Sequence, residues 1–193
     1  MKLIFAILIL LSTPAAASDG SRLLPESRLW LEGNSNVHPY SSQATKLEVQ
    51  FERVASSQNS LDQRIGHLKR LELTIPVNGL KSGKSALDRK MVKALKGKES
   101  PSIVFHLGNY QVLPGDRKKG NYSVQATGDL TIAGRTEPIT LTATVLPEDD
   151  RVTVTGSKEL LMSEFGVDPP TALLGALKTK DKVMIHFELH FQK

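Results

Sequence analysis

The 193-residue chain contains no cysteine. That excludes disulfides, thiol nucleophiles and Cys-ligated metals, and leaves packing and hydrogen bonding to hold the fold. Aromatic residues make up only 5% of it. Basic clusters exist at Arg117-Lys118-Lys119 and at Lys178, Lys180 and Lys182. Neither interleaves with stacking aromatics as RNA-binding sheets do, so no nucleic-acid partner is expected. Beyond residue 17 no apolar run approaches the roughly 20 residues of a membrane-spanning helix. Phosphate-binding glycine motifs, H-E-x-x-H and EF-hand spacing are all missing.

What is present begins with a leader. Lys2 supplies a positive charge, Leu3 to Leu11 an unbroken apolar run, and Pro14-Ala15-Ala16-Ala17 the small-residue pattern of signal peptidase sites. The expectation is a cleaved signal peptide over 1–17, a flexible N-terminus over 18–27 and one domain over 28–193, soluble and either periplasmic or secreted. Losing Lys2 lowers the formal charge of +5 by one. The mildly basic remainder allows weak contact with an anionic membrane surface. A homodimer is left open.

Most of the chain alternates with a period of two, the mark of strands with one buried face. Val183, Ile185, Phe187, Leu189 and Phe191 alternate with Met184, His186, Glu188 and His190. Leu47, Val49 and Phe51 repeat the pattern, as do Leu71, Leu73, Ile75 and Val77. Tyr122 to Ile132 and Ile139 to Val145 form two more strands around a turn at Ala133-Gly134. With Arg28–Ser35, Ile103–Leu113 and Arg151–Met162 added, about eight antiparallel strands joined by short connections predict an all-β barrel. Several strands run past nine residues, or roughly 30 Å, which suits a long wall. One helix is predicted from Ser85, with Ser85-Ala86-Leu87-Asp88 read as a capping box and Leu87, Met91, Ala94 and Leu95 on one face. Its other faces carry Arg89, Lys90, Lys93 and Lys96. A second, weaker helical turn is read over Thr171 to Leu177.

Catalytic constellations are hard to find. Gly33-Asn34-Ser35-Asn36-Val37-His38 lacks the second glycine and the following helix of a nucleophile elbow. His186 and His190 share a strand face but stand about 13 Å apart, too far to clasp one metal. Glu148-Asp149-Asp150 reads as a hairpin turn. No enzyme activity and no metal are expected, and roles for His38, His106, His186 and His190 are left open.

The segment Trp30-x-x-Gly33-x-Ser35-x-x-His38 and the passages "LDRKMVKALKGKESPSIVFHL", "ATGDLTIAGRTEPITLTATV" and "LMSEFGVDPPTALLGALKTKDKVMIHFEL" together resemble the YceI family of bacterial exported proteins, from about Arg28 to Phe191. Ser163-Glu164 stand before Phe165-Gly166 where many members carry an arginine. The resemblance implies an extended, lipocalin-like barrel with a helix packed against it and a long apolar interior. It implies no cofactor apart from a bound isoprenoid such as a quinone or polyprenyl lipid. The expected function is carriage of such an amphiphile; the alternative is a barrel packed solid, acting through its outer surface in the periplasm. Candidate lining residues are Val49, Phe51, Leu73, Ile75, Phe105, Leu107, Val124, Leu130, Leu141, Val145, Phe187 and Leu189. Trp30 and Phe165 are candidates for the mouth or an end plug.

Overall fold

The computed structural model describes residues 22–54, 61–65, 67–113, 120–172 and 177–193. The expected leader, the start of the 18–27 segment and residues 173–176 of the second helical turn lie outside them. The elements run β1 (Arg28–Ser35), β2 (Pro39–Ala44), β3 (Glu48–Val54), α1 (Asp62–Ile65), β4 (His67–Pro76), β5 (Leu80–Lys81), α2 (Ser85–Ala94), β6 (Ser102–Val112), β7 (Tyr122–Ile132), β8 (Arg135–Pro147), β9 (Arg151–Leu161), β10 (Thr171–Ala172) and β11 (Leu177–Gln192).

Each of the eight expected strands is present. The sheet is 11-stranded, in the order β3-β4-β6-β7-β8-β9-β11-β1-β2-β5, with β10 beside β11. β2 escapes the alternation rule because its buried positions are Ser42 and Ala44 rather than large apolar residues. β10 occupies the start of the weak helical segment, and β5 is only two residues long. Among the described residues the end strands β3 and β5 do not pair, so the barrel is curled rather than zipped shut. The curl is deep: the Phe51 ring on β3 meets the Phe191 ring on β11 edge-on, with centroids 5.5 Å apart. The class is therefore all-β and lipocalin-like, with an open seam.

The long wall follows from tight turns. Ala133 and Gly134 take φ of 52° and 81°, the left-handed pair that a two-residue hairpin needs to match strand twist. Glu148-Asp149-Asp150 links β8 to β9, with the Glu148 N–H donating to the Arg151 carbonyl at 2.8 Å.

The helix begins at Ser85, but the capping box does not form. Lys84 is the N-cap and makes no side-chain cap. Asp88 instead reaches back past it, accepting the Ser82 N–H at 2.8 Å and the Ser82 hydroxyl at 2.6 Å. These bonds hold the Asp88 carboxyl below its ordinary range. The connection before the helix is thus tied to its first turn. Met91 and Leu95 pack on a cluster of Leu29, Ala44, Ile75 and Leu80, while the basic faces point to solvent.

Buried apolar side chains gather in three clusters rather than one. One holds Leu61, Tyr122, Val124, Val145 and Val152. Another holds Leu130, Ala133, Leu160, Phe165 and Val167. Between the clusters the interior is not filled.

Candidate functional site: an apolar cavity inside the barrel

The curled sheet encloses a cavity of about 280 Å³, near the lower end of the roughly 300–1,000 Å³ of ligand pockets. Because side chains alternate between faces, every long strand contributes its apolar set inward. Val49, Phe51, Leu73, Ile75, Phe105, Leu107, Val124, Leu130, Leu141, Val145, Phe187 and Leu189 all line it. The outward row is polar: Thr140, Thr142 and Thr144 alternate with the inward Leu141, Ala143 and Val145 and face solvent.

Two candidates lie elsewhere. Trp30 falls on the outer face, because Leu29 and Leu31 hold the inward parity of β1 and both line the cavity. The Trp30 indole stacks on His186 at 5.0 Å and donates its Nε1–H to Glu32 at 3.2 Å. Phe165 is only 2% exposed and borders a smaller space of about 110 Å³ beneath α2. That space shares Leu31, Leu80, Ile103, Ile132, Leu160 and Ile185 with the main cavity.

Further lining residues went unnamed by sequence reasoning, among them Leu29, Leu31, Leu71, Ile103, Tyr110 and Val154. Their strand parity was the available signal. Arg53 and Lys158 are the cationic members of the lining. The Arg53 guanidinium lies 5.7 Å from the centre of the Phe51 ring.

The aromatic rings do not plug the bore, and two glycines explain why. A Cβ on Gly156 would sit 2.5 Å from Cζ of Phe187, its partner across the β9–β11 ladder. A Cβ on Gly128 would sit 2.7 Å from Cε2 of Phe105. Each ring therefore lies down over a residue that has no side chain.

At the α1 end of the barrel a buried polar group stands behind the lining residue Tyr110. Asp62 is 1% exposed and accepts the Tyr110 hydroxyl at 2.6 Å, while that hydroxyl accepts the Leu68 N–H at 3.1 Å. His67 Nδ1 stands 3.1 Å from the other Asp62 oxygen. Burial first, and the bond to Asp62 second, push the Tyr110 phenol up from 10.0 to about 12. A raised acid pKa stabilises the fold below the unfolded value, and that contribution is lost as pH climbs through the folded one. Stability is therefore expected to fall as pH rises from about 10 towards 12. Tyr110→Phe should show a shallower alkaline loss and a cost at pH 7 of about 1–3 kcal/mol, from polar groups left without this partner. Denaturant midpoints measured across that range check both; an unaltered alkaline slope would sink the assignment.

The remaining histidines do other work. His106 faces Glu72 at 3.5 Å, and His190 lies between Thr153 at 3.1 Å and Glu188 at 3.3 Å. Among the described residues no group of three or more His, Asp or Glu side chains is placed to hold a metal. Ser35 is engaged with backbone: its hydroxyl donates to the His38 carbonyl at 2.8 Å and accepts the His38 N–H at 3.1 Å. The His38 Nδ1 lies 3.3 Å from the Pro39 carbonyl. No helix among the described residues is long and apolar enough to cross a membrane.

The family model of the YceI-like domain matches residues 32–191. No curated protein sequence matches the chain. Among solved structures, Burkholderia cenocepacia BcnA is 20% identical with a TM-score of 0.67, over 85% of this chain and 95% of that one. A polyisoprenoid binding domain from Saccharophagus degradans, implicated in plant cell wall breakdown, is 13% identical with a TM-score of 0.67, over 89% and 97%. The Campylobacter jejuni YCEI protein is 16% identical with a TM-score of 0.61, over 79% and 84%. At these identities the likeness is one of fold.

Proposed function

Since the chain belongs to the YceI-like family, we propose that it is an exported, non-enzymatic carrier that holds the tail of an isoprenoid or similar long-chain amphiphile inside its barrel. The observation that carries this reading is the cavity itself, enclosed by the sheet and lined almost throughout by aliphatic and phenyl side chains. Burial contributes about 0.8 kcal/mol per CH2, so a five-carbon unit adds roughly 4 kcal/mol gross. Association costs about 4–15 kcal/mol, and a tail of several units exceeds it without directional contacts. A smooth lining thus suffices for the tail, and no catalytic group is required.

The polyisoprenoid binding domain from Saccharophagus degradans, which shares this fold, supports the same ligand class. The leader pattern of residues 1–17 supports export to the periplasm or beyond. The solid-barrel alternative needs no continuous interior space, and the cavity of about 280 Å³ argues against it.

Native mass spectrometry of gently purified protein, followed by solvent extraction, tests the reading. The expected result is a chain beginning at Ser18 with a bound species that extracts as an isoprenoid mass series. A clean apo mass from such a preparation would count decisively against the carrier role.

A further inference from the structure

Resting on the carrier reading for its choice of partner, we propose that the exposed basic face of α2 docks the barrel on an anionic lipid surface, while the apolar side of the same helix roofs the interior. Lys84, Arg89, Lys90, Lys93, Lys96 and Lys98 are all exposed. The acids of this stretch are Asp88 and Glu99, and Asp88 is taken up by Ser82. Among the described residues none of those six cations makes a salt bridge. The barrel wall is different: Arg28 pairs with Glu188 at 2.7 Å, Lys69 with Glu52 at 3.0 Å and Lys182 with Glu159 at 2.9 Å. Arg89 and Lys90 stand four and three positions before Lys93, spacings at which like charges weaken a helix. No residue of α2 is fully buried to compensate. The helix thus carries a repulsion that a surface of opposite charge would relieve.

Shape and position select a membrane as that surface. The cations spread over about three turns of convex helix, which suits many weak contacts with a plane of head groups better than one small ion. On the underside, Leu87, Met91, Ala94 and Leu95 roof the space of about 110 Å³ that shares Leu31, Leu80 and Ile103 with the main cavity. Tyr40 and Thr179 border the same space from β2 and β11. Beside them the Asn36 side chain accepts the Lys178 N–H at 2.9 Å. At this end of the barrel Val37 is 65% exposed, and Lys178 and Lys180 are exposed as well. A bilayer lying against the helix would therefore meet cations, an exposed valine and the roof of the interior together.

Flotation of the purified protein with vesicles of phosphatidylcholine, or of equimolar phosphatidylcholine and phosphatidylglycerol, tests the surface. Binding is expected on the anionic vesicles alone, weakening as salt rises. Each lysine or arginine at such a surface contributes about fivefold. Substituting Arg89→Gln, Lys90→Gln, Lys93→Gln and Lys96→Gln together should therefore cost about a hundredfold or more. Arg28→Gln, Lys69→Gln, Arg70→Gln and Arg151→Gln remove the same charge from the wall, and together should leave binding within about fivefold of the parent. Thermal unfolding verifies that both variants are folded. A folded helix variant that keeps parental binding, equal binding to the two vesicles, or an equal loss in the wall variant overturns the inference. So does a protein that ignores anionic vesicles but is retained on immobilised polyglutamate, because the patch would then fit an acidic polypeptide. All of these outcomes leave the carrier reading standing. A wild type that floats with anionic vesicles as expected but takes up no polyprenyl alcohol from solution upholds the surface and removes the carrier reading.

Discussion

Leu141→Trp is expected to cost about a hundredfold or more in affinity for any long-tailed ligand while the barrel stays folded. Leu141 lines the cavity and is half-buried, so its side chain borders open space rather than a packed cluster. An indole there occupies part of the 280 Å³ that a tail would fill. Displacing about four methylene-sized groups at about 0.8 kcal/mol each removes roughly 3 kcal/mol, which corresponds to a hundredfold in Kd. Val124→Trp makes a sterner comparison, because Val124 belongs to the buried cluster with Leu61 and Tyr122 and overpacking there also strains the wall. Titration with a polyprenyl ligand, alongside circular dichroism, separates blocked binding from lost folding. A folded Leu141→Trp protein with parental affinity would mean that ligand does not enter this space.

Phe165→Ala is expected to lower stability by about 3–5 kcal/mol, the usual cost of deleting a buried phenyl ring. Phe165 is 2% exposed and packs with Leu130, Ala133, Leu160 and Val167. It sits at the end of a single 3-10 turn, Met162–Phe165, closed by Gly166 at φ of 63°. That turn is pinned from outside as well, since Asp181 accepts the Ser163 N–H at 2.8 Å and the Ser163 hydroxyl at 2.6 Å. The ring cannot be replaced by collapse of its neighbours, because its own segment is held at both ends. With total stabilities of about 5–15 kcal/mol typical, the loss shows directly in urea midpoints. A change below about 1 kcal/mol would refute the anchoring role.

Alternation made most of the wall legible in the sequence. In β7, β8 and β11 apolar residues recur on one parity over long stretches, as from Ile139 to Val145 and from Val183 to Phe191, so the inward face could be read position by position there. Where the inward residue is small or charged, parity is silent. β2 hides because Ser42 and Ala44 face the interior, and Lys158 because a lysine reads as solvent-facing by type. Trp30 shows the opposite error, in which residue size outweighed position: its neighbours Leu29 and Leu31 already held the inward parity. The Ser85–Asp88 box failed for a different reason, since Asp88 found a better donor in Ser82 than in the helix's own first N–H groups. The polar anchor of Asp62, His67 and Tyr110 joins residues more than forty positions apart, which no local pattern announces.

The glycine under the Phe187 ring gives the tube an adjustable gauge. Bulk added at Gly156 would press first on Phe187 and narrow the bore from behind, whereas at Gly128 it would first meet the His106 carbonyl, 2.2 Å from a Cβ there, and shift the backbone. Calibre and surface chemistry are thus set by different residues. A lineage of such tubes is free to change what it admits by thickness without altering how greasy its inner surface is.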